Sequence, residues 1–440
     1  MCGIVEIMKI LSIETSCDET GISVVEQLSG SETITLLGNA LASQIELHAQ
    51  YGGVFPAMAK RAHAEKIIPL TIESLTQANL LSEESSTLGT DNQTLIETLC
   101  AKEQEMIEVL VDFFNVWKKP ELDYIAVTVG PGLEPALWVG INTARVLGAV
   151  WNIPIIPINH MEGHVVTGAI EEKQNTEVAQ IQHSSGPRFP EHARPDHHNA
   201  ASASPLEPQT KRDFIFKDLE FPVLSLLVSG GHTELVLAHS YGHYDKIGQT
   251  RDDAVGEAFD KVARMLGLPY PGGPAVSRLA AEFRTKGFEN PFILPRPMLH
   301  SQDYDFSYSG IKTAALYTIR DLTEQNTREL TEDEKIALAA AFEDAAIEVL
   351  VKKTIRASEE YGVQTIIVGG GVAGNTYLKQ ELSRSFLDKG VEVLFPAPWL
   401  ATDNAVMIAL AAVARINTGN ISTTLPEDLK ANGNLSIASN

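Results

Sequence analysis

Cysteine is scarce in this chain: Cys2, Cys17 and Cys100 are three residues in 440, scattered and odd in number. That excludes a disulfide scaffold and a CxxC zinc site, and it fits a reducing cytosol. Positive charge is also short. Against 57 Asp and Glu stand 34 Lys and Arg, a net charge of −23. A general coat for nucleic acid is thereby excluded, though a local basic patch or a partner that presents RNA is not. No apolar run reaches the ~18 residues of a membrane span, so no membrane association is expected. The opening MCGIVEIMK lacks a basic segment leading into a long apolar one, which argues against a secretory signal. Cys2 stands where a glutamine amidotransferase has its N-terminal nucleophile, but nothing downstream continues that pattern. Residues 1–7 read as an extension. Walker A and HExxH are both missing.

What is present is 44% hydrophobic and 21% charged, a soluble globular protein with core enough for two or three domains. Ile10–Glu14 and Ile22–Val25 are apolar runs around a polar turn, Thr15–Gly21, the signature of a hairpin. A second hairpin of the same style runs Val223–Val228, Ser229–Thr233, Glu234–Leu237. Two strand–glycine–helix junctions follow another logic, Tyr124–Val129 into Gly130-Pro131-Gly132, and Thr365–Val368 into Gly369-Gly370-Gly371. Both look like crossovers of a buried α/β sheet. The order of these units predicts two duplicated halves around a cleft, the layout of the actin/Hsp70/sugar-kinase (ASKHA) type. The expected division is a first lobe over 8–155 joined by a C-terminal helix at about 403–418, and a second lobe over 156–402. Residues 81–110 hold seven acids against Lys102 and read as an insertion, with helical periodicity over 94–117. Residues 171–217, rich in Ser, Pro, His, Gln and Asn, read as a mobile surface loop, and 419–440 as a flexible tail.

The sharpest chemical cluster is Asn159-His160-Met161-Glu162-Gly163-His164. On a helix His160 and His164 share a face at the spacing that lets two imidazoles bind one metal ion; packing or capping histidines are the plainer alternative. Glu162 lies roughly 200° around the helix from His160, so it is badly placed as the base of a metallopeptidase. Asp403 is a candidate third ligand, although Thr402 or Asp403 also suits the N-cap of the helix that follows. Ser229-Gly230-Gly231-His232-Thr233 offers backbone N–H groups to an anion, or is an ordinary hairpin turn. Asp18 and Glu19 can hold a phosphate-bound cation or merely finish their turn. Asp260 falls on a predicted helix, where a solvated charge is the default, and Pro271-Gly272-Gly273-Pro274 reads as a turn.

Taken together, ILSIETSCDETG (10–21), YGGVFP (51–56), GPGL (130–133), NHMEGH (159–164), LLVSGGHTEL (226–235), GEAFDKVARMLGLPYPGGP (256–274), DFSYSGIKTA (305–314), GGGVAGN (369–375) and TDNAVMIA (402–409) closely resemble the TsaD family. These are bacterial tRNA N6-adenosine threonylcarbamoyltransferases, and the resemblance runs from about Met8 to Ile416. It implies two RNase H-like lobes around a nucleotide and metal cleft. It also implies transfer of threonylcarbamoyl from threonylcarbamoyl-adenylate to N6 of the adenine 3′ of the anticodon, in tRNAs that read codons beginning with A. His160, His164 and Asp403 match the family's metal ligands, for iron(II) or else zinc. Leu227, Val228, Ser229, Gly230 and Gly231 match the loop that holds the adenylate, and Asp260, Gly273 and Asn375 its other nucleotide contacts. Asp18, Glu19 or His232 would orient the amine or take its proton. The implied partners are the tRNA anticodon loop, a TsaB-like paralogue docking on helices of the first lobe and a TsaE-like ATPase, all in the cytoplasm.

The chain departs from the family pattern at Ala57, at Glu134-Pro135, at Ser277 and at Ala401, which touches RNA and ribose contacts rather than the metal or phosphate loop. Lys60, Arg61, Arg264 and Lys312 are candidates for a local RNA path. A metal-dependent endopeptidase and a non-catalytic nucleotide-binding subunit are the competing functions.

Overall fold

A computed structural model describes residues 7–83, 87–173, 211–326 and 328–439. Along the chain run β1 (Ile7–Glu14), β2 (Glu19–Leu28), β3 (Ile34–Ser43), α1 (Ile45–Ala49), α2 (Pro56–Gln77), α3 (Thr90–Leu99), α4 (Gln104–Val116), β4 (Tyr124–Gly130), α5 (Glu134–Trp151), β5 (Ile155–Asn159), α6 (His160–Gly168), β6 (Ile170–Lys173) and β7 (Arg212–Phe216). Then follow β8 (Val223–Val228), β9 (Thr233–Ser240), β10 (His243–Gln249), α7 (Val255–Met265), α8 (Gly272–Lys286), α9 (Ser309–Asn326), α10 (Glu332–Tyr361), β11 (Thr365–Gly369), α11 (Thr376–Phe386), β12 (Glu392–Leu394), α12 (Pro398–Ala401) and α13 (Ala405–Asn417).

The two hairpins expected from alternating apolar runs are β1–β2 and β8–β9, each antiparallel. Each grows into the same sheet. The first orders its strands β5-β4-β1-β2-β3 and then adds β7 and β6; the second orders them β12-β11-β8-β9-β10. In both, an antiparallel meander meets two parallel strands, β1 with β4 and β5, β8 with β11 and β12. This is the duplicated RNase H-like architecture of the ASKHA fold. Among the described residues no helix is long and apolar enough to cross a membrane.

The duplication extends to a pair of exchanged helices. α6, which follows the first sheet's last parallel strand, packs on β11 and β8 of the second sheet. α13, which follows the second sheet's last strand, packs on β1, β2 and β4 of the first. The two helices also pack on each other. Gly163 allows this, since a Cβ there would lie 2.9 Å from Met407 Cγ. Apolar side chains of α6, α13 and both sheets form a shared middle core, flanked by a core in each lobe.

The structure corrects several expectations. The helical stretch at 94–117 is two helices, α3 and α4, broken at residues 100–103. The stretch 171–217 is not a loop throughout: β6 and β7 pair antiparallel and join the first sheet through β3, so its ends belong to that lobe. Its middle, 174–210, like residues 1–6, lies outside the described residues. Residues 419–439 are not a frayed tail, because apolar side chains anchor them. Leu429 and Ile437 are buried, and Asn432 N donates to Val129 O at 2.9 Å.

Candidate metal centre and nucleotide cleft

α6 begins at the N-cap Asn159, whose side chain accepts from Met161 N, and places His160 and His164 on one face one turn apart. α13 begins the same way at Asn404, which accepts from Met407 N. Neither Thr402 nor Asp403 caps that helix, so the Asp403 carboxylate is free to turn to the histidines. Its Oδ1 lies 3.1 Å from His164 Nε2 and 3.4 Å from His160 Nε2. One ligand atom from each of the three lies within 4.8 Å of the others. The rings stand edge to face, 88° apart, and both Nε2 atoms approach the same Asp403 Oδ1. Two imidazoles and one carboxylate are a borderline donor set that suits iron(II) or zinc better than magnesium or calcium.

Sequence reasoning missed the layer behind these ligands. Glu14, the last residue of β1, is completely buried, and its Oε2 lies 3.2 Å from His160 Nδ1. Thr128 Oγ1 and Ser16 N each donate to the same carboxylate at 2.5 Å. A carboxylate behind a histidine fixes which ring nitrogen faces forward and raises its basicity. Burial disfavours the His160 cation, but the Asp403 and Glu14 carboxylates outweigh it and push its pKa well above the usual imidazole range. The available signal was a charge ending an otherwise apolar strand.

Asp18 and Glu19 sit in the β1–β2 turn beside this cluster. Burial, with the charges of Asp403 and Asp18, pushes Glu19 up to about 10. His232 lies in the opposing β8–β9 turn, where burial and then the charges of His160 and His164 bring it down to about 4. In that turn Ser229 Oγ accepts from His232 N at 3.1 Å and Gly231 N at 3.3 Å. Gly256, opening α7, is held against it: a Cβ there would lie 2.6 Å from Ser229 O.

Glycines of two kinds line the second lobe's turns and junction. Gly256, Gly369 and Gly370 are required by the protein, because a Cβ at Gly369 would lie 2.7 Å from His164 O and one at Gly370 would collide with Val228 O. At Gly230, Gly231, Gly371 and Gly374 a Cβ would meet nothing within 4 Å, and at Gly273 only Phe259 Cβ at 4.0 Å. None of these five has a positive φ. Glycine at these five positions leaves the backbone open to close approach from the cleft.

The remaining sequence candidates border this space in differing ways. Leu227 and Val228 are buried at the end of β8, so they can meet a ligand only through backbone. Asp260 is no solvated charge: its Oδ1 accepts from Gly272 N at 2.7 Å, capping α8, which starts inside the expected turn. Asn375 caps α11 by accepting from Leu378 N, and its Nδ2 donates to Ser277 Oγ at 2.9 Å and Glu343 Oε1 at 2.8 Å. Of the cations expected along an RNA path, Lys60 pairs with Glu103, Arg61 with Glu65 and Lys312 with Asp253. Arg264 is exposed, with no ion pair among the described residues. Glu162 is buried against Arg415, 2.6 Å away, which removes it as a peptidase base.

The family model for tRNA N6-adenosine threonylcarbamoyltransferase, TsaD, matches residues 35–88, 102–181 and 206–410. Its gaps fall inside the two stretches read as insertions. The tRNA N6-adenosine threonylcarbamoyltransferase of Acidovorax sp. (strain JS42) is 37% identical over 410 residues, 93% of this chain and 92% of its own. That of Ralstonia pickettii (strain 12J) is 38% identical over 409 residues, again 93% and 92%. Among solved structures, T. kodakarensis HypF has a TM-score of 0.49 at 11% identity, over 97% of this chain and 49% of its own, too remote to bear on activity. With sequence identity sustained across nearly the whole of both relatives, the chain belongs to the tRNA N6-adenosine threonylcarbamoyltransferase (TsaD) family.

Proposed function

We propose that the chain moves the threonylcarbamoyl group of threonylcarbamoyl-adenylate onto N6 of the adenine 3′ of the anticodon, in tRNAs reading codons that begin with A. The observation that carries this reading is the convergent donor set of His160, His164 and Asp403, next to five glycines that the protein itself does not require. The donor is a mixed anhydride and already activated, so no covalent enzyme intermediate is needed. Nε2 of each histidine and Oδ1 of Asp403 would hold iron(II) or zinc, which when bound supplies Lewis acidity toward the threonylcarbamoyl oxygens.

The chain's own residues supply the rest. Glu14 orients His160. Gly230 and Gly231 let backbone approach the phosphate that becomes the leaving group, beside the N-terminus of α7. Asp260 and Asn375 hold the starts of α8 and α11 at the adenosine side. His232, neutral at pH 7, can take the proton that N6 loses. Asp18 and Glu19 share one turn, and with its pKa pushed up to about 10 Glu19 is neutral at pH 7 and can donate a hydrogen bond there. The target base is presented unstacked, as bases of single-stranded loops are when read. Family membership supports a TsaB-like paralogue, a TsaE-like ATPase and a cytoplasmic setting.

The test is transfer of labelled threonine to tRNA by the purified chain given threonylcarbamoyl-adenylate, with and without the two partners. Transfer by wild type that His160→Ala abolishes, with nucleotide still bound, is the expected result. No transfer in any combination, with nucleotide bound, would make the chain a binding subunit.

A further inference from the structure

Glu162 sits in the metal motif yet points away from the metal cluster. It is fully buried, and its carboxylate accepts from Arg415 Nε, with Oε1 at 3.0 Å and Oε2 at 2.9 Å. Arg415 Nη2 lies 2.6 Å from the same Oε2. Tyr244 OH, on β10, donates to Oε1 at 3.1 Å. Arg415 stands in the last turn of α13, while Asp403 stands just before its first. The contact between α6 and α13 at Gly163 and Met407 lies between these two ends.

That arrangement is a pivot with a polar tie on each side. To one side of Gly163, His160 and His164 reach the start of α13; to the other, Glu162 reaches its end. Apolar contact alone is non-directional and sets the angle between two crossed helices loosely. Rolling α6 about its own axis against α13 would carry the face that bears both imidazoles away from Asp403 Oδ1, and the same roll would separate Glu162, on the opposite face, from Arg415. A buried ion pair resists that motion, because parting it leaves a charge buried without its partner. Tyr244 carries the restraint into the second sheet.

We propose that Glu162, Arg415 and Tyr244 are positioning residues that set the crossing of α6 and α13, and thereby the spacing of the two imidazoles and Asp403 for a metal ion. The inference rests on the metal reading of that cluster. Two measurements on the full chain separate the possibilities: Zn2+ affinity by competition with a chromophoric chelator, and the visible absorption of bound Co2+, which reports coordination geometry. Glu162→Gln keeps the side chain's shape and removes its charge. It should weaken Zn2+ binding by roughly 10-fold, the lower end of what loss of an outer partner of a metal site costs, and shift the Co2+ bands. Tyr244→Phe removes one hydrogen bond and should act in the same direction by a smaller factor.

A purely structural pair would give a less stable protein whose folded fraction binds Zn2+ as wild type does, with unshifted Co2+ bands. That result in either variant overturns the proposal. If Glu162→Gln does not fold, Tyr244→Phe decides alone. Failure of wild type to bind either ion would overturn the metal reading itself, which is a different outcome from wild type and variants binding alike.

Discussion

The two lobes are copies in plan and opposites in how they treat the cleft. Each brings a hairpin turn and a strand–glycine–helix junction to the same position. In the first lobe both are filled by the protein. Leu133 N donates to Ser16 O at 2.7 Å and Thr15 Oγ1 to Ala136 O at 3.0 Å, while a Cβ at Gly132 would lie 2.5 Å from Ser16 O. His63 Nε2 lies 3.0 Å from Cys17 O, and the C-terminal segment closes on Gly130. In the second lobe the turn at 229–232 and the junction beyond Gly370 leave Gly230, Gly231, Gly371 and Gly374 facing open space. The first lobe carries acidic side chains there, Glu14, Asp18 and Glu19, and the second leaves its backbone open. A duplicated fold can therefore fill one turn and junction and leave the other open without changing its topology.

Gly132→Ala should break the first lobe. Its φ is +156° and the added methyl has no room, so overpacking and backbone strain together predict a loss of roughly 3 kcal/mol, measured by urea unfolding. An unaffected midpoint would mean that the junction yields and the contrast between lobes is wrong. Asn375→Ala probes the packing at the edge of the second lobe's open space. It removes the cap of α11 and a donor to the fully buried Glu343, for an expected loss of about 2 kcal/mol by the same assay.

Much of this plan was legible in the sequence because its signals are local. Alternating strands, glycine at junctions and histidines four apart are set by backbone geometry within a few residues. Three features were not legible, for one reason. Glu14 behind His160, Arg415 on Glu162, and Leu429 and Ile437 folding back the C-terminal segment are pairings between residues distant in sequence. A polar residue in an apolar run shows that a partner is needed, and not which one. The cap at Asn404 rather than Asp403 was a smaller miss: three adjacent residues all suit the position, and the approach of His164 selects among them. The roles of Gly231 and Gly256 also look alike in sequence, and separate only when their surroundings are seen.

Gly231→Ala sharpens the cradle side of the comparison. The methyl meets nothing in the protein, so stability should stay within ~0.5 kcal/mol of wild type. Binding of an adenylate analogue should fall roughly tenfold, equivalent to about 1.4 kcal/mol, by titration calorimetry. Unchanged affinity would show that no ligand approaches that turn.

The smallest expected effect lies in the pH dependence of the two turns, and there they should pull in opposite directions. His232 is brought from 6.5 down to about 4 on folding, so between those values the unfolded chain binds more protons. Its contribution to stability is complete above 6.5 and is lost as the pH falls through that window. In chelator-treated protein, wild type should lose about 1 kcal/mol more than His232→Gln on going from pH 7.5 to pH 6. Glu19 is pushed from 4.5 up to about 10, so the folded chain binds the extra proton and stability declines as the pH rises between those values. Glu19→Gln should therefore flatten that decline across the whole window, and below pH 6.5 its effect should be opposite in sign to that of His232→Gln. If both substitutions change the pH dependence below 6.5 with the same sign, the two turns do not carry opposed environments.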